Sequence, residues 1–224
     1  MDLGPLSPIE PGSPDREEGA SAIAALNSPI KMTKDVPPYN QGVIRNHHRF
    51  YIDQGDLVLQ VEKAIFKIHR HFLIKYSPVM ASMFEIGQNK QSRGGTEEEP
   101  LKLDDSVKAW ELLLEVIYPD NPFGDISYSG DQYILVLRLA HKYSMQVLEN
   151  SLVKRLQRDT TDTKYINLLQ AAWILGSAEL QKEAFNGLVS RKQELTRSEA
   201  HTMGVDILYD VMMSRQPGRK MYLR

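Results

Sequence analysis

The sequence GDLVLQVEKAIFKIHRHFLIKYSPVMASMF, residues 55–84, decides the fold of this chain. Its first half has apolar side chains at alternate positions in two short runs, which are Leu57, Leu59 and Val61 and then Ala64, Phe66 and Ile68. A period of two predicts half-buried strands. Because only Glu62 and Lys63 separate the runs, the second strand is expected to fold back on the first as a hairpin. Neither residue favours the positive φ of a tight turn.

The second half of the same stretch predicts two helical pieces. Its apolar side chains recur at helical spacing and are Phe72, Leu73, Tyr76, Val79, Met80, Met83 and Phe84. Ser77 is suited to cap a helix, and Pro78 is suited to the first turn of the next one. We therefore expect one helix to end and another to begin at Ser77.

The order of strand, tight turn, strand, His-Arg step and helix ending in Met-Phe resembles the opening of a BTB/POZ domain. The positions that carry this resemblance are Asp56, His69, Arg70, Ser77, Pro78, Met83, Phe84, Leu101, Leu103, the run 113–118 and the sequence LVLRLAHKYSMQVL at 135–148. They span about 110 residues, which is the length of a domain. The chain is most similar to the fungal members of the family. The resemblance implies an α+β fold in which a small three-stranded sheet is flanked by helices.

Composition divides the chain into four parts. Residues 1–44 hold seven of the twelve prolines among serine, glycine and acidic residues, which predicts a disordered leader. The BTB/POZ domain is predicted over residues 45–158. An all-helical extension follows over residues 159–214 and resembles the BACK region found in many such proteins. Residues 215–224 form a basic tail that is either solvated or attracts an acidic partner.

Further elements are predicted between these landmarks. The polar run at 87–100 is expected to form a loop before a short third strand with Leu101 and Leu103. Asp104, Asp105 and Ser106 are candidate caps for the next helix. Trp110 and Trp173 lie on leucine-rich helical stripes, so both are expected in the core. The last helical stripe consists of Ile207, Leu208, Val211 and Met212.

The overall charge and hydropathy favour a cytoplasmic or nuclear protein. The 224 residues carry a net charge of −2, which gives no electrostatic bias toward nucleic acid or an anionic membrane. The sequence has no run of eighteen apolar residues and no apolar core behind a basic start, so neither a membrane-spanning helix nor a secretory signal is expected. The expected partners are therefore other proteins.

Cysteine is absent, which excludes disulfides, thiol catalysis and cysteine-ligated zinc. The six histidines have no metal-ligand spacing, and His47 and His48 are expected to be solvated ahead of the first strand. The phosphate loop, the nucleophile elbow and the dinucleotide glycine pattern are also missing. The sequence therefore predicts no catalytic residue, no metal and no cofactor.

Asp56 and Arg70 form a candidate charged pocket. One begins the first predicted strand and the other follows the second, and an arginine fork can bind a carboxylate through two hydrogen bonds. The resemblance implies that these positions line a charged pocket at the domain surface or dimer interface. Two interpretations stay open, which are partner binding and a structural ion pair that satisfies a partly buried carboxylate.

Met83, Phe84 and Ile86 are the candidate partner-binding residues, because the resemblance implies that this helix end faces a cullin. The chain would then be a substrate adaptor of a cullin-RING ubiquitin ligase. Cullin-binding members favour an apolar residue, any residue and then glutamate after this helix, whereas this chain has Ile86-Gly87-Gln88. The alternatives are a cullin-independent oligomerising scaffold or a transcriptional or signalling regulator, and a fold whose family partner is lost.

Overall fold

The computed structural model describes residues 42–89, 94–119 and 127–216, without the side chains of residues 86–89. Its strands are β1 (Arg45–Tyr51), β2 (Leu57–Val61), β3 (Ala64–Ile68) and β4 (Leu101–Leu103). Its first helices are α1 (Arg70–Tyr76), α2 (Pro78–Asn89), α3 (Val107–Ile117), α4 (Gly130–Lys142) and α5 (Gln146–Arg158). Three more helices follow, which are α6 (Lys164–Leu175), α7 (Ala178–Ser190) and α8 (Arg197–Ser214). The predicted leader up to residue 41 and the tail beyond residue 216 lie outside the described residues.

The described strands form a mixed sheet in the order β1-β3-β2-β4. β2 and β3 are an antiparallel hairpin in which Leu57 pairs with Ile68 and Leu59 pairs with Phe66. β1 runs parallel to β3, and β4 runs parallel to β2. The α+β fold and the predicted hairpin are confirmed. Glu62 has a φ of +50° in the hairpin turn, although glutamate does not favour positive φ values.

The prediction of three strands was wrong, because the described part of the sheet has four. β1 was missed because its sequence RNHHRFY lacks alternating apolar residues. Its pairing with β3 shifts register between Asn46 and Tyr51, so the buried side chains of His47 and Phe50 do not follow a period of two. The prediction that His47 is solvated was also wrong, since its side chain is 1% exposed. His48 is exposed as expected.

Ser77 joins α1 to α2, as the sequence predicted. Its backbone N–H donates to the carbonyl of Leu73 over 2.8 Å, and its hydroxyl accepts from the backbone N–H of Met80 over 3.0 Å. The same hydroxyl donates to the carbonyl of Tyr143 over 2.6 Å, which fixes the junction to the end of α4. α2 continues to Asn89, so the predicted loop starts later than Gly87.

Helix α3 carries the centre of the core. Ser106 caps it by accepting from the backbone N–H of Ala109 over 3.1 Å. Trp110 is fully buried, as predicted, and its indole N–H donates to Asp105 over 3.1 Å. The corresponding prediction for Trp173 was wrong, because 44% of its surface is exposed on α6.

The C-terminal helices are separated at the two glycines that the sequence marked. Gly176 has a φ of +63° and ends α6, and Gly204 has a φ of +75° and kinks α8. α6 packs against α4, α5 and α7, so the helical extension continues the core of the preceding helices. A methyl group on Gly187 of α7 would collide with the ring of Tyr165 on α6. This contact lets the two helices approach closely.

Candidate interaction surfaces

Asp56 holds the start of α1 through the backbone and not through an ion pair. Its Oδ1 atom accepts from the backbone N–H of Arg70 over 2.7 Å. A carboxylate at this position also interacts favourably with the positive end of the helix dipole. The expected fork between the Asp56 carboxylate and the Arg70 guanidinium is therefore replaced by a capping contact.

The guanidinium of Arg70 instead covers Phe84 of α2. The guanidinium carbon lies 5.0 Å from the centre of the Phe84 ring, which is a cation–π contact. The Nε atom of Arg70 is buried and has no hydrogen-bond partner. Phe84 is only 7% exposed. The structure thus brings Asp56, Arg70 and Phe84 together around the α1 start, but it withdraws the Phe84 ring from the surface.

The other two candidate partner-binding residues, Met83 and Ile86, also lie on α2. Met83 is partly buried and packs against the core. Ile86 lies within α2, but its side chain is outside the described residues.

Two apolar side chains on either side of Ser77 in the chain are exposed, which the sequence did not predict. Ile74 on α1 is 41% exposed, and Val79 on α2 is 43% exposed. The helical pattern had grouped Val79 with the core-facing residues. Its exposure follows from its position in the first turn of α2, where α1 ends and no longer covers it. We refer to Ile74 and Val79 as the α1–α2 surface.

A second exposed apolar face lies on the last helix. Val205, Tyr209 and Met212 are 82%, 58% and 52% exposed. Their spacing of four and then three residues places them on one side of α8. Val211 is fully buried on the other side, so the sequence stripe was correct for Val211 and wrong for Met212. We refer to Val205, Tyr209 and Met212 as the α8 face.

Two contacts to carboxylates fasten β1 to α3. The Nδ1 atom of His47 accepts from the backbone N–H of Phe50 over 3.1 Å, so Nε2 carries the proton and donates to Glu111 over 3.0 Å. Arg49 donates to Glu115, one helical turn further along α3, over 2.9 Å. Burial acts to raise the pKa of Glu111, but the His47 hydrogen bond and the nearby Lys108 outweigh it and hold that pKa below its ordinary value.

Two further observations concern other kinds of site. Among the described residues, no three histidine, aspartate or glutamate side chains come together in a way that could hold a metal ion. Within the same part of the chain, no helix combines the length and apolar character needed to span a membrane.

Comparison with models of known protein families places part of the chain in one of them. The family model of the BTB/POZ domain matches residues 46–160. These residues contain β1 apart from its first residue, β2 to β4 and helices α1 to α5, whereas α6 to α8 lie beyond them. No curated protein matches the chain. The similarity to fungal members and to the BACK region stays a prediction.

Proposed function

The chain belongs to the BTB/POZ family, since the matched domain covers more than half of it, and from this premise we propose that it is an adaptor that joins two protein partners. The BTB/POZ domain is a protein–protein interaction module. In the proposal, the α1–α2 surface of this domain binds one partner. The α8 face binds the second.

The exposure of Ile74 and Val79 is the observation that carries the proposal. Each keeps about two-fifths of its surface in water, although Leu73 and Met80, the residues next to them in the chain, are fully buried. Covering that apolar surface with a partner would contribute about 1 kcal/mol for each side chain. Because Ser77 binds both helices to Tyr143, the two side chains are held in place before a partner arrives. A rigid surface loses little conformational entropy on binding.

The two proposed surfaces lie on helices that pack against different neighbours, which suits an adaptor. α1 packs on α2 and α5, whereas α8 packs on α6 and α7. A partner on the α1–α2 surface therefore contacts other helices than a partner on the α8 face. We propose a cullin of the BTB-binding type as the first partner and a ubiquitination substrate as the second.

A cullin-independent scaffold is the second candidate, and two observations favour it. Phe84, which was expected to contact the cullin, lies under Arg70. The chain has Gln88 where cullin-binding members favour glutamate. Loss of one charge-assisted contact is worth about 1 to 3 kcal/mol, so a cullin complex would have to draw its affinity from the apolar surface.

Titration calorimetry of the full chain against the N-terminal domain of such a cullin tests the first candidate. We expect a dissociation constant in the micromolar range or tighter. Val79→Asp should abolish the heat of binding, because it places a charge in the apolar contact. Val205→Asp is the matched control, since it makes the same change on the α8 face. The absence of binding by the unmodified chain, or equal binding by Val79→Asp, would reject the cullin adaptor and favour the scaffold.

Light scattering of the full chain tests the oligomerising form of the scaffold. A mass equal to twice 25.5 kDa at micromolar concentrations would support a homodimer. The monomer mass over the same range would reject homodimerisation. Val79→Asp tells whether a dimer uses the α1–α2 surface, because only then does the charge dissociate it.

A further inference from the structure

A basic pocket lies in the BTB/POZ domain between the start of α4 and the last turns of α5. Its volume is about 430 Å³, which lies within the range of small-ligand sites. One side is formed by α5, which contributes Ser151, Lys154, Arg155 and Arg158. These four residues are spaced at i, i+3, i+4 and i+7, so they share one helix face. Tyr128 and Tyr133 also line the pocket.

Two of the cations at this pocket have no ion-pair partner. Lys154 and Arg158 are both exposed. In the part of the chain that the structure describes, neither is hydrogen-bonded to a carboxylate, whereas the ion pairs that do form engage other residues. Placing two unpaired positive charges one turn apart on a helix costs free energy. The arrangement is therefore poised to bind an anion.

The described lining has three cations, Lys154, Arg155 and Arg158, against one carboxylate, so it stays net positive. Asp159 is the one carboxylate among the described lining residues, and it accepts from the backbone N–H and the hydroxyl of Thr161 over 2.9 and 2.7 Å. The hydroxyl of Tyr128 is already engaged, since it lies 2.9 Å from the Glu115 carboxylate and 3.0 Å from the carbonyl of Leu112. Tyr128 therefore offers its ring as a wall, and the hydroxyl of Ser151 is a further donor beside the cations.

We propose that this pocket binds a phosphate monoester. A phosphate monoester carries nearly two negative charges at pH 7, so it neutralises Lys154 and Arg158 together, whereas a carboxylate would leave one of them unpaired. The planar fork of Arg158 binds two phosphate oxygens at once, and Lys154 adds a third contact. The inference stands apart from the proposed adaptor function, because it uses neither the α1–α2 surface nor the α8 face.

The phosphate monoester has two possible sources, a phosphorylated peptide and a free small molecule. The leader of this chain offers a peptide of suitable charge. Ser13 precedes a proline and is followed closely by Asp15, Glu17 and Glu18. A phosphate on Ser13 would therefore lie in an acidic segment that the basic pocket attracts.

Binding of two labelled peptides to the unphosphorylated full chain tests the proposal. Both peptides have the sequence PIEPGSPDREE of residues 8–18, and one carries a phosphate on Ser13. Fluorescence anisotropy measures each affinity, with free phosphoserine added as a competitor. We expect the phosphopeptide to bind at least tenfold more tightly than its unmodified form. Lys154→Ala and Arg158→Ala should each weaken it about tenfold, the range of a charge-assisted hydrogen bond.

The control variant is Lys182→Ala, which removes an equally exposed lysine from α7. It should bind the phosphopeptide like the unmodified chain. If free phosphoserine displaces the phosphopeptide at a concentration close to the dissociation constant of the phosphopeptide, the pocket binds the phosphate monoester and a free small molecule is its source. Weak competition by phosphoserine would support a peptide source. Equal binding of the two peptides together with no competition by phosphoserine, or binding that Lys154→Ala and Arg158→Ala leave unchanged, would overturn the proposal.

Discussion

Nε2 of His47 lies 3.0 Å from Oε1 of Glu111, which joins the first strand of the sheet to the helix that covers it. Both ring nitrogens are satisfied, because Nδ1 accepts from the backbone N–H of Phe50. The ring is also stacked 4.6 Å from that of Phe66 on β3. β1 is therefore held by one buried polar side chain and not by a run of apolar ones.

His47→Ala should lower the free energy of unfolding by about 2 to 3 kcal/mol, because it removes a stacked ring and leaves Oε1 of the partly buried Glu111 without its donor, with only Lys108 still bound to the other oxygen. Urea denaturation followed by circular dichroism measures the change. Asn46→Ala is the matched control, because its side chain is exposed on the same strand, and it should change stability by less than about 0.5 kcal/mol. Equal effects of the two variants would show that the buried hydrogen bond does not hold β1.

Asp56→Ala should destabilise the chain by about 1 kcal/mol, because the backbone N–H of Arg70 loses its acceptor at the start of α1. Asp56→Asn should cost less than half as much, since its amide oxygen can still accept that hydrogen bond. Arg70→Met keeps the backbone N–H and tests whether the guanidinium takes part. If Asp56→Ala combined with Arg70→Met shows strong coupling in a double-mutant cycle, the carboxylate pairs with the guanidinium after all.

Glu199 should make stability depend on pH in the acidic range. Arg191 donates to both of its oxygens over 2.7 and 2.9 Å, and both side chains are 9% exposed. These hydrogen bonds lower the pKa of Glu199 from 4.5 to about 2. A folded-state pKa below the unfolded value means that the carboxylate stabilises the fold above pH 4.5 and that this stabilisation is lost as pH falls from 4.5 toward 2.

Glu199→Gln measures this contribution. At pH 7 the variant should be less stable by about 2 to 3 kcal/mol, because Arg191 keeps its charge in a largely buried site. The difference between the two proteins should shrink between pH 4.5 and pH 2 in denaturation curves recorded at each pH. Gln193→Glu would not repair the loss, since Gln193 contacts Asp162 instead. A stability difference that stays constant over this range would refute the assignment to Glu199.

The sequence predicted the elements whose side chains follow a simple period. The β2–β3 hairpin and the Ser77 junction were recognisable because alternation, helical spacing and capping residues agreed over residues 55–84. β1 was missed because a bulge interrupts its period and a histidine fills a core position. Trp173 was misplaced because a helical stripe tells which side chains share a face, and it does not tell whether another element covers that face.

The basic pocket was missed for a different reason. Arg155 and Arg158 are ordinary residues for the last turn of a helix, where cations interact favourably with the helix dipole, and Lys154 lies just before that turn. Only the fold brings Tyr128, from a loop before α4, to the same cavity. The signal in the sequence was the helical spacing of Ser151 and the three cations, which does not by itself distinguish a solvated face from a pocket wall.

The β2–β3 hairpin turn holds glutamate in a backbone conformation that glutamate does not favour. Glu62 has a φ of +50°, and asparagine occupies that region more readily than glutamate. Glu62→Asn should therefore raise the free energy of unfolding by about 0.5 to 1 kcal/mol.

Lys63→Asn is the control for this change, because Lys63 is the adjacent turn residue and does not adopt a positive φ. It should leave stability within about 0.5 kcal/mol of the unmodified chain. Thermal and urea unfolding of both variants give the comparison. A gain in Lys63→Asn equal to that in Glu62→Asn would mean that asparagine favours the turn generally, and that the backbone of Glu62 is not the source of the strain.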